Sequence, residues 1–358
     1  MQSSGSPLDI AFVTPPWYSL PPGGYGGIEA VSAALADGLV DRGHHVTTIG
    51  AGPRGTKADH VATYEVPPSE RIGEAVPEVV NAAKAAQALA DLDVDIVHDH
   101  SLAGALSAGG RSAPTILTTH FPVDGEFGLY YRSLGDTVDM VATSNAQRTR
   151  SPGLPWLRTV HNAIDVSTVP YVADKGEHVV FLGSMSPKKG VAEAIEVARR
   201  AGRKLVIAAK CVEPFERRYF DEVIRPMLGS DIEWIGELNH EEKWEFLGNA
   251  ACMLFPSTRH EAFGLVLIEA MATGTPVIAL DRGAVNEIID HGVSGFVCGD
   301  VDDMATALTS IEDISPRACR ARVRDHFDVP IMVQGYEAAY RAALEAPGKP
   351  VEPFSGAA

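Results

Sequence analysis

Two hydrophobic spacings alternate along the chain. Short unbroken apolar runs are followed by stretches in which apolar residues recur every three or four positions. The run Ile10 to Thr14 predicts a buried strand, Ile28 to Val40 carries helical spacing, and His45 to Ile49 returns to strand after Gly43. Further buried strands are predicted at Ile96 to His98, Thr115 to Thr119 and Met140 to Thr143. A second series begins at Val179 to Leu182 and continues through Leu205 to Ala208, Met253 to Phe255 and Val277 to Ala279. Helices are predicted between them at about Val191 to Arg200, Glu241 to Asn249 and Leu265 to Thr273. The last stops at Gly274, with Pro276 just beyond. Such βαβ alternation implies parallel sheets.

The polar stretch Asp165 to Glu177, with Pro170 and Gly176, separates the two series and predicts a linker. The expected fold is therefore α/β, with two Rossmann-like domains and a ligand cleft between them. Residues 1–168 form the first domain and 169–330 the second. A last helix, Pro330 to Leu344, carries an apolar stripe of Ile331, Val333, Tyr336, Ala339 and Tyr340. It is expected to return to the first domain, so that about 331–358 belong there.

Length agrees with this division, because 358 residues exceed the size at which one core usually keeps growing. A net charge of -17 argues against nucleic acid or an anionic membrane surface as the main partner, since both are held by clustered Lys and Arg. Cys211, Cys252, Cys298 and Cys319 have no CxxC or zinc-ligand spacing and read as buried thiols of a reducing compartment. The N-terminus lacks the signature of a secretory leader, and no apolar run is long enough to span a membrane. A cytoplasmic protein is expected.

The segment Phe255 to Val297 carries the most chemistry. Glu261 lies in a loop, Phe263, Gly264 and Leu265 form a helix entrance, and Glu269 lies inside the helix. The first N–H groups of a helix lack internal partners and stand at the positive end of its dipole, so a diphosphate can sit there. Carboxylates accept hydrogen bonds from ligand hydroxyls. Together they suggest a sugar nucleotide. In the first domain, PPGGYGGIE, Pro21 to Glu29, sets Gly26 and Gly27 before a helix without matching GxGxxG, because Glu29 occupies the third glycine's place. In FLGSMSPKKG, Phe181 to Gly190, Lys188 and Lys189 stand before a helix, where like charge opposes the dipole and a phosphate partner would explain them. Against this, a solvated lysine pair and an idle surface loop are the plainer readings of these two motifs. His120 follows a strand at the carboxyl end of the first sheet, where open α/β sheets put ligands. HDH at His98 to His100 invites a metal, but no third ligand is evident. DVD at Asp93 to Asp95 precedes a strand and reads as a solvated turn. No metal site is expected.

With these residues in view, the chain resembles the retaining glycosyltransferases of the GT-B fold, family four (glycosyl transferases group one), nearly end to end. EAFGLVLIEAMATGTPVIA resembles that family's E-x7-E signature. GYGGIE, LTTH, TSNAQR, HNAID, the SPKKG loop, IGEL and GVSGFV fall in the family's order. The resemblance implies sugar transfer from a nucleoside diphosphate sugar to a hydroxyl of an acceptor, with retention and without a metal or other cofactor. A uridine donor is mildly preferred over guanosine, and the low basic content predicts a soluble acceptor. It assigns Glu269 to the ribose, Glu261 to the donor sugar, and the backbone of Ala262, Phe263, Gly264 and Leu265 to sugar and phosphate. Lys189 neutralises the diphosphate, aided by Lys188. His120 sits by the donor sugar, Gly26 and Gly27 line the donor site, and the IGEL turn with Ile235 meets the base.

One departure stands out. Where family members commonly carry Arg after the loop's glycine, this chain has Ser184, and a guanidinium fork is lost from the diphosphate site. Lys188, Arg259 or Arg282 are the candidates to replace it. A catalytically weak or inactive sugar-nucleotide binding protein, a nucleotide-sugar epimerase and a hydrolase using Glu261 and Glu269 as paired carboxylates stay open alternatives. Oligomeric state is also open, a homo-oligomer included.

Overall fold

The computed structural model describes residues 6–345. The start of the N-terminal stretch read for a leader, and residues 346–358 of the expected C-terminal region, lie outside the described residues. The chain divides into two compact units, 1–161 with 329–358, and 162–328.

In the first unit, strands β1 (Asp9–Val13), β2 (His45–Ala51), β3 (Asp59–Tyr64), β4 (Ile96–Asp99), β5 (Thr115–Thr119), β6 (Asp139–Ala142) and β7 (Trp156–Thr159) form one parallel sheet. Its order is β3-β2-β1-β4-β5-β6-β7. The helices between them are α1 (Gly27–Asp41), α2 (Ala75–Ala90), α3 (Gly125–Leu134) and α4 (Asn145–Arg150). Parallel strands covered on both faces are buried along their length, as β4, β5 and most of β1 are.

The second unit carries β8 (Val179–Ser184), α5 (Val191–Arg200), β9 (Leu205–Lys210), α6 (Pro214–Tyr219), β10 (Ile232–Gly236), α7 (His240–Gly248) and β11 (Cys252–Phe255). It continues with α8 (Leu265–Ala272), β12 (Val277–Leu280), α9 (Val285–Ile288), β13 (Gly295–Cys298), α10 (Val301–Ala307) and α11 (Pro316–His326). The parallel sheet runs β10-β9-β8-β11-β12-β13. In both sheets the order reverses once, between β1 and β4 in the first and between β8 and β11 in the second. Open α/β sheets bind ligands outside the carboxyl ends of the strands at such a reversal.

The division falls ahead of the predicted linker. Val166 and Val169 are buried in the second unit's core, and the Val172 amide donates to the Thr273 carbonyl at 3.0 Å. The polar composition of 165–177 thus marks a surface segment of the second unit. The final helix, α12 (Val329–Glu345), belongs to the first unit. Met332, Val333, Tyr336, Ala339, Tyr340 and Ala343 form its buried stripe. Ile331, expected in that stripe, is 40% exposed because Met332 takes the inward position. Arg42 and His44 hold the helix through Glu337 Oε2 and Oε1, at 2.8 and 3.1 Å. Cys252, Cys298 and Cys319 are buried and Cys211 half-buried, and all four are free thiols.

Candidate active site

At the reversal of the second sheet, β8 and β11 are neighbours, so the segments leaving their carboxyl ends lie side by side. After β8, Ser186 caps a single 3-10 turn, Pro187–Lys189, its hydroxyl accepting from the Lys188 amide at 3.3 Å. After β11 comes the loop Pro256 to Gly264. The Thr258 amide donates to the Lys188 carbonyl at 3.1 Å, and the Ser257 hydroxyl lies 3.2 Å from the same oxygen. Gly190 ends the turn in the left-handed region at φ +79°, and a Cβ there would stand 2.0 Å from the Pro256 carbonyl oxygen. Only glycine permits this conformation and this approach. From the other side, the Ala284 amide donates to the Glu261 carbonyl at 3.3 Å, and the Gly283 amide to His260 Nδ1 at 3.3 Å.

The clamped loop presents Glu261, which accepts from Lys189 Nζ at 2.7 Å and from the Ser257 hydroxyl at 3.1 Å. Phe263 is buried against Phe327 in an edge-on contact. Gly264, at φ +101°, is the N-cap of α8. It offers no capping side chain, and the first turn of the helix holds no acid to face the positive end of the dipole. Glu269 lies one turn behind Leu265 on the same side of the helix. Its carboxylate accepts from Lys243 Nζ of α7 at 2.6 Å. Lys189, Glu261, Ala262, Phe263, Gly264, Leu265 and Glu269 are thereby collected at one sheet end.

Lys188 and Arg259 are exposed and Arg282 is half-buried, and Arg282 donates to its neighbour's carbonyl, Asp281 O. Ile235 lies in β10 and is 40% exposed. Ser184 is buried and pairs in the ladder with Lys210 of β9. That lysine escaped the sequence reading. It is buried, and its ammonium already contacts Glu213 and Glu216. Burial pushes the Glu216 carboxyl up, while hydrogen bonds, including that from Lys210, outweigh the effect of burial at Glu213 and hold it low. Ser257 and Lys243 also escaped it, because their partners come from other elements.

The reversal of the first sheet gathers histidines. His100 follows β4 and His120 follows β5, and the two meet through His100 Nδ1 and His120 Nε2 at 3.0 Å. The His98 ring lies tilted against that of His100, with centroids 4.0 Å apart. Its own nitrogens are taken by the Tyr340 hydroxyl at 2.8 Å and the Thr118 hydroxyl at 2.7 Å. Burial lowers His98 and His100 well below the ordinary imidazole value and brings His120 down to about 4. All three are neutral rings at neutral pH. Among the described residues no three His, Cys, Asp or Glu side chains are grouped to hold a metal ion. Gly26 is the N-cap of α1 and Gly27 its first residue. One turn in, Glu29 is buried, and burial, assisted by the nearby Glu78 carboxylate, pushes its carboxyl up to about 7.

Two parallel sheets in two units, each reversing its strand order once, are the architecture of the GT-B fold. Residues 25–170 match Glycosyltransferase Family 4 and residues 169–324 match Glycosyl transferases group 1, and the chain belongs to this glycosyltransferase family. It is 25% identical over 363 residues to phosphatidyl-myo-inositol mannosyltransferase of Mycolicibacterium smegmatis, covering 89% of each chain. It is 28% identical over 216 residues to glycogen synthase of Mycobacterium tuberculosis, 56% of this chain, and spans about half of that relative's length, 51%. Among solved structures, AviGT4, a glycosyltransferase involved in Avilamycin A biosynthesis, is 28% identical with a TM-score of 0.73, covering 95% of this chain and 98% of that one. Among the described residues no helix is long and apolar enough to cross a membrane.

Proposed function

We propose that this protein transfers a sugar from a nucleoside diphosphate sugar, UDP-linked in preference to GDP-linked, to a hydroxyl of a soluble acceptor. The anomeric configuration is retained and no metal ion takes part. The observation that carries the reading is the meeting of Lys189 with Glu261 beside the uncapped entrance of α8, with Glu269 one turn behind. The diphosphate lies on the amides after Phe263, its charge met by Lys189 and the helix dipole. Glu269 exchanges part of its contact with Lys243 for the ribose hydroxyls. Glu261 accepts from a hydroxyl of the donor sugar, and His120 also serves that sugar. As the glycosidic bond breaks, negative charge grows on the leaving phosphate oxygen, and donors already fixed there lower the barrier. The departing phosphate then takes the acceptor's proton from the same face. The low basic content and the likeness to AviGT4 favour a natural-product or small-metabolite acceptor.

A second reading, a sugar-nucleotide binding protein with little turnover, is favoured by Ser184 in the place of an arginine and by Lys210 being held by two glutamates. One experiment separates the two. UDP- and GDP-sugars are screened for thermal stabilisation, which rises with ligand concentration over Kd. The stabilising donor is then incubated with a panel of hydroxylated acceptors, and the product anomer is read by NMR. A retained anomer supports the first reading. Stabilisation without transfer supports the second, and an inverted product or no stabilisation by any nucleotide sugar contradicts the first.

A further inference from the structure

His120 is held by His100, and His100 has a second nitrogen with nothing to bond. Its Nε2 is buried without a hydrogen-bond partner, inside a side chain only 1% exposed. A neutral imidazole carries one N–H and one bare nitrogen. The contact between His100 Nδ1 and His120 Nε2 needs a hydrogen on one side only, so two arrangements are available. If His120 Nε2 carried the hydrogen, the hydrogen of His100 would have to sit on Nε2, leaving a buried N–H without an acceptor. Buried donors are rarely left orphaned, because the desolvation penalty is not recovered. If instead His100 Nδ1 carries the hydrogen, the orphaned atom is a bare ring nitrogen packed near Phe12, whose ring centroid is 5.3 Å from that of His100. His120 then accepts at Nε2, and its own hydrogen is forced onto Nδ1.

We infer that His100 is a positioning residue that fixes His120 as the Nδ1–H tautomer, so that His120 meets its ligand as a neutral hydrogen-bond donor to an oxygen. The inference rests on the proposed role of His120 at the donor sugar. The rest of the cluster supports it. His98 is locked on both nitrogens, by Tyr340 and Thr118, and Thr118 is in turn bonded to Tyr336 at 2.9 Å. The His98 ring, tilted against His100 with centroids 4.0 Å apart, hinders that ring from turning to exchange its nitrogens. A ring nitrogen's tautomer is set by the bond its other nitrogen makes. The α12 helix, through Tyr336 and Tyr340, thus buttresses the orientation of His120 two steps away.

The test uses the full chain labelled with nitrogen-15 in histidine. Long-range proton–nitrogen correlation spectra are recorded, and the signals are assigned with His100→Asn and His120→Gln variants. The expected spectrum shows His120 protonated at Nδ1 and bare at Nε2. Protonation at Nε2 would overturn the inference. Kinetics supply the second readout, as donor-sugar release from the nucleotide sugar that stabilises the protein. His100→Asn keeps an amide N–H near the place of Nδ1–H and is expected to hold kcat within about threefold. His100→Leu removes it and is expected to lower kcat about tenfold with KM little changed. Equal losses in both variants would contradict the positioning role, since a packing defect does not distinguish them. Should His100→Leu fail to fold, the wild-type spectrum still decides. Absence of turnover on every nucleotide sugar would count against the proposed function and leave the tautomer result standing, whereas an Nε2–H tautomer with transfer intact would remove this inference alone.

Discussion

Lys189 and Glu261, separated by 72 positions in the chain, meet at 2.7 Å beside the entrance of α8. Their contact puts the loop's half-buried cation and the acceptor carboxylate in competition, because a bound diphosphate would draw on the same ammonium.

Glu261→Gln removes the competing charge while keeping the side chain's shape. UDP affinity is therefore expected to hold or rise by about threefold, since the Lys189 ammonium is released to the phosphates. Turnover of the donor sugar is expected to fall by about tenfold or more, because an acceptor for its hydroxyl is lost. Calorimetry with UDP and initial rates with the nucleotide sugar check the two halves separately, and parallel losses in both would be inconsistent with the competition.

The Glu269–Lys243 pair makes a different prediction. Glu269→Ala is expected to weaken UDP binding by about tenfold, equivalent to ~1.4 kcal/mol, while inorganic pyrophosphate binds as before. Competition titrations with the two ligands read the difference. Equal weakening of both would move Glu269 from the ribose to the phosphates.

Much of this site can be read from local sequence, but its pairings cannot. The buried strands β5 and β8 and helices α5 and α8 announce themselves as apolar runs or stripes bounded by glycine and proline. β3 and β10, edge strands exposed or half-buried along most of their length, show no such run and are not evident from local pattern. The neighbourhood of Lys189 and Glu261 follows from β8 lying next to β11, a fact of sheet order that no local pattern carries. His98 and His100 point the same way, as their spacing suggested, yet the hydroxyls that occupy His98 come from β5 and α12. Lys243 is hidden for the same reason, since its partner Glu269 comes from α8, whereas Lys210 meets Glu213 and Glu216 only a few positions on.

Backbone geometry supplies a stability test. Gly190→Ala forces a Cβ to within 2.0 Å of the Pro256 carbonyl at φ +79°. It is expected to cost at least about 2 kcal/mol, measured by urea unfolding, and to lower UDP affinity by parting the two loops. A variant as stable as the parent would show that the loops do not pack this closely.

Glu29 gives the molecule a pH dependence of known sign. Its ordinary carboxyl value is 4.5, and burial raises it to about 7 in the folded state. Below 4.5 both states hold the proton. Between 4.5 and about 7 the unfolded chain releases it and the folded chain does not, so stability falls as pH rises, by roughly 3 kcal/mol at most. Glu29→Gln is expected to remove that loss. Urea unfolding at pH 5 and pH 8 should show the variant gaining far more stability over the parent at the higher pH, and an equal difference at both would contradict the raised value.

The central claim is that the second unit grips a nucleoside diphosphate between Lys189 and the amides at the head of α8. Calorimetric titration of UDP into the wild type and into Lys189→Ala tests it most directly. Saturable binding to the wild type, weakened about tenfold to a hundredfold by the substitution, is the predicted result. Equal affinity in the two proteins, or no binding of UDP or GDP to the wild type, would contradict it.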